Sequence, residues 1–257
     1  MIPPNPMPHI LILGGTADAR QLAALIQDRL GAHVRLTTSL AGRTKRPAAL
    51  AGDLRVGGFG GVSGLVDYLA AEHVTLMIDA THPFAATISR HAVEAAREVG
   101  IPRLMIVRPQ WQLPVALDVV RVSDMEAAAI ALRTSGARRV LLTTGIQNLD
   151  VFARLPDIWF LIRQIEDHEK PLPLAHANTV IQKPPFTLEG ERALMAEHEI
   201  DTVVSKESGG SATEAKLRAA AELGIRVVLI ERPPMPMGEN ASSPEDALIW
   251  IEARLSA

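Results

Sequence analysis

The stretch HILILGGTADAR, residues 9–20, decides the fold class of this 257-residue chain. It begins with an apolar run of strand type, passes through Gly14 and Gly15, and enters a helical pattern at once. One face of that helical pattern is apolar, formed by Leu22, Leu25, Ile26 and Leu30. A buried strand that turns directly into an amphipathic helix is typical of a parallel sheet covered by helices.

The same alternation of short apolar strands and helices continues along the chain. Further strands are predicted at 34–38, 54–57, 74–80, 101–107, 139–144, 158–165, 202–205 and 226–231. Further helices are predicted at 84–99 and 188–198, after capping boxes at 123–126 and 211–214, and from Ser243 onward. The sequence therefore predicts an α/β protein throughout.

A weak internal repeat suggests how these elements are divided. Residues 95–109 match residues 219–233 at eight of fifteen positions, an offset of 124. The match indicates either two related halves or the common sequence pattern of helix, glycine and strand. We predict two Rossmann-like halves, residues 1–116 and 117–257, with a ligand cleft between them. The offset also predicts that His82 and Lys206 occupy equivalent strand ends.

Composition excludes several classes of function. The 26 basic and 29 acidic side chains give a net charge of −3, and only 4% of residues are aromatic, so nucleic acid is not an expected partner. The chain has no cysteine for disulfides or thiolate metal sites, and its histidines form no HxH or HExxH pattern. No apolar run has the roughly 18 residues of a membrane helix, and the first residues lack a signal peptide pattern, which predicts a cytoplasmic protein.

The first glycine loop is a candidate phosphate site. Gly14, Gly15, Thr16 and Ala17 lie between a strand and a helix, where backbone N–H groups and the helix dipole favour an anion. The loop departs from the GxGxxG pattern because Thr16 replaces its second glycine. A dinucleotide site and a plain strand-to-helix turn are both compatible with this stretch.

The end of the second predicted strand favours a particular dinucleotide. In Rossmann folds an acidic residue in this region holds the ribose of NAD, but here the chain has Ser39 followed by Arg43, Lys45 and Arg46. Hydroxyl and cationic groups suit a 2′-phosphate, so the pattern predicts NADPH rather than NADH. The alternative is a solvated basic loop.

A third loop of the first half contains Thr81, His82 and Pro83, which follow the strand predicted at 74–80. Because parallel strands end at one edge of a sheet, this loop is expected close to Gly14. We expect these residues to contact the cofactor, although a lone histidine in such a place can also be purely structural.

The second half carries its own anion-binding pattern. Its predicted strand ends are followed by Thr144 and Gly145, and by Lys206 with a glycine-rich loop. The loop contains Ser208, Gly209 and Gly210, and a glycine-rich loop with lysine and serine before a helix favours an anion. The spacing is not that of a P-loop, which disfavours nucleotide triphosphate hydrolysis. The alternative is a flexible loop in which Ser211 caps the next helix.

Together these motifs resemble one enzyme family. The chain resembles precorrin-6A reductases of cobalamin biosynthesis from about residue 9 to residue 233. The likeness rests on LILGGTADAR (11–20), DATHPFA (79–85), Arg108, Pro109, Trp111, TTG (143–145), QKPPF (182–186), KESGG (206–210) and ERP (231–233). The chain departs from the family pattern at Lys183 and Pro184, positions where family members often have glycine.

The resemblance implies reduction of one double bond of precorrin-6A by NADPH, with one α/β half holding the cofactor and the other helping to hold the tetrapyrrole. It implies that the substrate carboxylates meet Arg20, Lys206 and the glycine-rich loop. His82 and Lys206 are the candidate catalytic residues, and the oligomeric state stays open. Two alternatives are a non-catalytic NADPH-sensing module and a short-chain-type reductase, but Tyr68 is followed by Glu72 where the latter needs lysine.

Overall fold

The computed structural model describes residues 7–42, 50–167 and 171–256. Its strands are β1 (His9–Leu13), β2 (Arg35–Leu40), β3 (Asp53–Val56), β4 (Val74–Asp79), β5 (Arg103–Ile106), β6 (Val119–Val122), β7 (Arg139–Leu142), β8 (Trp159–Gln164), β9 (Ala177–Ile181), β10 (Thr202–Lys206), β11 (Arg226–Ile230) and β12 (Glu239–Ala241). Its α-helices are α1 (Ala17–Arg29), α2 (Val62–Ala71), α3 (Ala86–Val99), α4 (Met125–Ser135), α5 (Leu188–Glu197), α6 (Ala215–Leu223) and α7 (Pro244–Leu255). No helix in the described ranges is both long enough and apolar enough to cross a membrane.

The chain forms two compact units, Met1–Arg108 with Pro234–Ala257, and Pro109–Pro233. Each unit contains one parallel sheet of six strands, in the order β12-β5-β4-β1-β2-β3 and β6-β11-β10-β7-β8-β9. The two orders are topologically identical for five strands. The sixth strands are exchanged, because β6 follows β5 in the chain but joins the second sheet, whereas β12 follows β11 and joins the first. The predicted α/β class with two parallel sheets is confirmed.

The limits of the units differ from the predicted division at 116/117. Residues after Pro233 return to the first unit, where Ala241 of β12 pairs with Ile106 of β5. Helix α7 buries Leu248 and Ile251 in the same apolar cluster as Ile26 of α1. Strand β12 has only three residues, Glu-Asn-Ala, so it carries no periodicity that sequence reasoning could detect.

The centre of the first sheet is buried on both faces, as its apolar strands predict. All five residues of β1 are buried. Ile10 and Ile12 pack with α1 and α7, while Leu11 and Leu13 pack with apolar side chains of α2 and α3. Alternate residues of one strand thus contact two helical layers.

The helix caps partly match the sequence prediction. Ser243 accepts a hydrogen bond from the backbone N–H of Asp246 with Pro244 in the first turn, as expected. At the first predicted capping box the cap is Asp124, because its carboxylate accepts from Ala127 N, while Ser123 only donates to Asp124. At the second, Ser211 begins a 3-10 turn, and α6 starts at Ala215 without a side-chain cap.

The strand register shows which positions of the two halves are equivalent, and these differ from the predicted ones. Asp79 pairs with Met105, whereas Ser205 pairs with Leu229, which is Met105 plus the repeat offset of 124. Asp79 and Ser205 are therefore equivalent, at an offset of 126. The predicted equivalence of His82 and Lys206 is wrong, because paired residues of β4 and β5 lie 26 positions apart in the chain, whereas those of β10 and β11 lie 24 apart. His82 corresponds to Ser208.

Candidate functional site

The first sheet gathers the described part of the predicted cofactor set at its carboxyl edge. Strand β1 pairs with both β2 and β4, so the three strand ends lie side by side. The predicted residues at these ends are Gly14, Gly15, Thr16, Ala17, Ser39, Thr81, His82 and Pro83. Arg43 lies outside the described residues.

The glycine loop has the geometry of a close-approach turn. A Cβ on Gly14 would lie 2.8 Å from Cγ2 of Thr38, so the packing of β1 and β2 requires glycine there. Gly15 has a φ of +105°, which only glycine adopts readily, and a Cβ there would meet open space. The loop therefore presents exposed backbone at the start of α1.

Thr16 uses its hydroxyl within the protein. Its Oγ1 accepts from Ala19 N at 3.1 Å, which caps α1, and donates to the Ala80 carbonyl oxygen at 2.7 Å. This links the end of β4 to the start of α1. A phosphate contact by Thr16 would consequently come from its backbone N–H and not from its hydroxyl.

A buried carboxylate orients the loop after β4. Asp79 is fully buried, and its Oδ1 accepts from both the N–H and the hydroxyl of Thr81, at 3.2 and 2.7 Å. Its Oδ2 lies 3.8 Å from Nη1 of Arg103. Burial lowers the pKa of the Arg103 guanidinium, and the Asp79 charge partly opposes that shift. Thr81 is thus fixed by the end of its own strand.

His82 is half-buried beside this strand end. Its Nδ1 accepts a hydrogen bond from Phe84 N at 3.2 Å, which places the proton of the neutral ring on Nε2. The Phe84 ring lies 5.8 Å away, tilted against the imidazole. The ring is therefore held as an Nε2–H donor at the carboxyl edge of the first sheet.

Sequence reasoning missed a cation at the end of β2. Arg55 of β3 pairs in register with Ser39 and donates from Nη1 to Ser39 Oγ at 3.2 Å. The same guanidinium donates to the Gly57 and Gly58 carbonyls, and its Cζ lies 3.7 Å from the Phe59 ring centroid. Arg55 could have been identified from the sequence by assuming that the third strand pairs in parallel with the second.

The first unit also holds an ion pair near the start of α1. The Arg108 guanidinium, which follows β5, donates through Nε to the carboxylate of Asp18 in the first turn of α1. Arg20, the predicted substrate residue of this unit, is exposed two residues further along the same helix. Arg108 belongs to the motif set quoted above, but no role was assigned to it from sequence.

The second sheet gathers the other predicted substrate residues at its carboxyl edge. Strands β7 and β10 are neighbours, so Thr144 and Gly145 lie next to the loop that begins at Lys206. Lys206 Nζ donates to the Thr144 carbonyl oxygen at 3.2 Å. The loop contains Ser208, Gly209 and Gly210, and both glycines have positive φ, +67° and +76°.

Sequence reasoning also missed a buried carboxylate in this loop. Glu207 is 1% exposed, and neither carboxylate oxygen has a hydrogen-bond partner in the described part of the chain. Nη1 of Arg121 lies 3.9 Å from Oε2 of this carboxylate. A glutamate within the polar sequence Lys-Glu-Ser-Gly-Gly is expected to be solvent-exposed, so nothing in the sequence indicates that Glu207 is buried.

The QKPPF segment borders a cavity of about 280 Å³ in the second unit. Arg163, at the end of β8, donates to both oxygens of Glu191 at 2.6 and 2.9 Å, and its Cζ lies 4.4 Å from the Phe186 ring. Both charged side chains are buried. The segment therefore covers an internal ion pair at the same edge of the sheet.

The site residues fall into two groups, each within one unit. The first unit holds the glycine loop, His82 and Arg55, and the second holds Lys206 and its loop. His82 and Lys206, the two candidate catalytic residues, belong to different units.

Comparison with known proteins identifies the family. Residues 9–252 match the family model of the precorrin-6x reductase CbiJ/CobK. A precorrin-6A reductase of Rhodococcus erythropolis is 44% identical over 246 residues, which cover 95% of this chain and 98% of the relative. One from Mycobacterium tuberculosis (strain CDC 1551 / Oshkosh) is 44% identical over 247 residues, covering 95% and 98%. A solved structure described as CobK precorrin-6A reductase is 40% identical, covers 96% of this chain and 97% of that chain, and has a TM-score of 0.89. This chain therefore belongs to the precorrin-6x reductase family.

Proposed function

We propose that this protein reduces one double bond of precorrin-6A to give precorrin-6B, with NADPH as the hydride donor. The observation that carries the proposal is the carboxyl edge of the first sheet, where Gly15, the start of α1 and the Arg55–Ser39 pair lie on adjacent strands. Family membership supplies the substrate, because the relatives are named precorrin-6A reductases.

The residues at this edge fit a dinucleotide. Exposed backbone at Gly15 and the N-terminus of α1 favour a pyrophosphate. Thr81 and His82, at the end of β4, would contact the nicotinamide half, with Pro83 fixing the turn. When bound, the reduced nicotinamide supplies a hydride, and the protein supplies the approach geometry and electrostatics.

We assign the preference for NADPH to cations beside Ser39. Arg55 is held there by two backbone carbonyls and by the Phe59 ring. A guanidinium at this position complements a 2′-phosphate, and Arg43 would add a second charge. In the sequence, no acidic residue of the kind that holds the ribose of NAD occurs between Leu40 at the end of β2 and Asp53 at the start of β3.

Replacing Arg55 by alanine is expected to weaken NADPH binding about 10- to 100-fold while changing NADH binding little, because a charge-assisted contact of about 1.5–3 kcal/mol is lost. Calorimetric titration with each cofactor measures both affinities. Arg97→Ala, which removes an exposed arginine from the last turn of α3, is the control. Equal losses with both cofactors would assign Arg55 a structural role only.

The second unit is proposed to bind the substrate carboxylates. Lys206 contributes a charge, Ser208 a hydroxyl, and the backbone at Gly209 and Gly210 contributes N–H groups in a nest-like turn. Thr144 and Gly145 form the neighbouring strand end. Arg20 is the proposed carboxylate partner in the first unit.

The chemistry itself needs little from side chains. Hydride adds to a carbon of a conjugated C=N unit, the electron pair of that double bond moves to a ring nitrogen, and the nitrogen takes up a proton. His82, with its proton on Nε2, is the first candidate to donate this proton or to position the substrate, and Lys206 is the second.

Two alanine variants test this assignment. With precorrin-6A and NADPH, His82→Ala is expected to lower kcat about 100-fold or more, the low end of general acid–base effects. Lys206→Ala is expected to raise the KM for precorrin-6A about 10-fold or more through loss of a charge-assisted contact. Loss of the reduced-nicotinamide absorbance measures turnover, and His33→Ala, an exposed histidine in a 3-10 turn, is the control.

The outcome separates three interpretations. Wild-type kinetics in both variants would refute the assignment of the two sheet edges. Stable NADPH binding without oxidation by the wild-type protein would indicate the sensing module instead. Reduced turnover in His82→Ala with an unchanged KM supports the proposed placement of the cofactor.

A further inference from the structure

The loop that follows β10 has little regular structure of its own. Between Lys206 and α6 it contains two consecutive glycines with positive φ and one 3-10 turn, Ser211–Thr213. Ser208 N donates to the Lys206 carbonyl at 2.8 Å, and Ser208 Oγ lies 3.5 Å from Thr213 Oγ1. Such a loop needs contacts from outside to keep one conformation.

Trp111 supplies the first of these contacts. Its side chain is buried in the apolar cluster that contains Leu217 of α6. Its Nε1 donates to the carbonyl oxygen of Gly210 at 2.7 Å. The indole thus joins the core of the second unit to the glycine turn.

Lys216 supplies the second contact. It is 3% exposed, on the first turn of α6, and its Nζ donates to the Thr213 carbonyl oxygen at 2.5 Å. The same Nζ lies 4.5 Å from the centroid of the Trp111 ring, within range of a cation–π contact. The two donors therefore hold the loop at its middle and near its C-terminal end, and they contact each other.

A lysine is a costly choice for this position. Burial is the main cause that lowers the pKa of Lys216 to about 7; the nearby Glu191 charge partly opposes this shift, and the Arg163 charge adds to it. Desolvating an ammonium costs free energy that an apolar side chain of similar length would avoid. What lysine adds over methionine here is the donor to Thr213.

We propose that Trp111 and Lys216 are positioning residues for substrate, which hold the loop 207–214 in the conformation that presents Lys206 and Ser208 to a carboxylate group of the tetrapyrrole. The inference rests on the proposed function. Lys216 binds the carbonyl of Thr213, whose hydroxyl lies 3.5 Å from that of Ser208. Trp111 binds the carbonyl of Gly210, which is two positions after Ser208 in the chain.

Conservative variants test the positioning role. Lys216→Met keeps the length and removes the donor, and Trp111→Phe keeps a ring and removes the indole N–H. We expect each to raise the KM for precorrin-6A about 5-fold, the ratio that corresponds to one hydrogen bond of about 1 kcal/mol. The KM for NADPH and the melting temperature should stay near wild type. Amide hydrogen exchange in 207–214 of the substrate-free protein should become faster.

Matched controls lie nearby. Arg218→Met changes an exposed cation on α6, the helix that also carries Lys216. Trp159→Phe changes the other tryptophan of this unit, which is the first residue of β8 and lies at the edge of the sheet opposite the loop. Both should leave loop exchange and the precorrin-6A KM unchanged. The double variant Trp111→Phe with Lys216→Met should show less than the product of the single effects, because the two side chains contact the same loop.

Three outcomes would overturn the inference. The first is a wild-type KM for precorrin-6A in an active variant. The second is faster amide hydrogen exchange throughout the second unit together with a lower melting temperature, which would indicate a merely structural role. A wild-type protein that does not oxidise NADPH with precorrin-6A would overturn the proposed function as well.

Discussion

Ending the chain after Pro233 is expected to unfold the first unit. The removed segment contains β12 and α7, and α7 buries Ala247, Leu248 and Ile251 against the same cluster as Ile26. Loss of each large apolar contact costs about 2–5 kcal/mol. The total is comparable to the whole stability of a domain, about 5–15 kcal/mol.

The fragment 109–233 provides the opposite case. It contains every strand of the second sheet, β6 to β11, in one continuous segment. It should fold alone, with a cooperative thermal transition followed by circular dichroism. The fragment 1–108 should remain unfolded under the same conditions, and a native-like transition in that fragment would contradict the role given to β12 and α7.

Replacing Glu191 by leucine is expected to destabilise the second unit by about 3–5 kcal/mol, because it leaves the buried guanidinium of Arg163 without its partner. Both side chains are almost fully buried, at 6% and 1% exposure, and their two hydrogen bonds are short. Urea unfolding of the full chain, followed by tryptophan fluorescence, measures the change.

Two further variants check that explanation. Glu189→Leu removes an exposed carboxylate from the same helix turn and should cost much less. The double change Arg163→Met with Glu191→Leu should recover most of the loss, because neither charge of this pair is left buried without the other. A Glu191→Leu protein within about 1 kcal/mol of wild type would show that Arg163 is solvated or paired otherwise.

The local parts of the fold could be predicted from sequence because their signals are local. Four apolar residues after His9, followed by two glycines, predicted β1 and the turn into α1, and the structure explains each glycine by a close contact or a positive φ. Ser243 with Pro244 predicted the start of α7. The placement of Gly14, Ser39 and His82 at one sheet edge follows from parallel pairing.

Long-range features could not be predicted in this way. Nothing in three residues of β12 indicates that they pair with β5, more than 130 positions earlier in the chain. The contact of Arg55 with Ser39 depends on the register of β2 and β3. The burial of Glu207 and Lys216 contradicts their residue type, and only packing from distant segments accounts for it.

The wrong prediction that His82 and Lys206 occupy equivalent positions has the same origin. A constant offset assumes equal spacing, but paired residues of β4 and β5 lie two positions further apart in the chain than those of β10 and β11. At the same topological point the first unit begins the regular 14-residue α3, whereas the second has a glycine loop and the nine-residue α6. Equivalent positions in the two sheets thus carry different local structures.

The exchanged edge strands also set an order of completion during synthesis. As the chain leaves the ribosome, the first five strands of the first sheet emerge before any strand of the second, yet β12 emerges last. The second sheet has all its strands once β11 is out. Nascent domains generally fold as units, so the unit that is begun first is the one that is finished last.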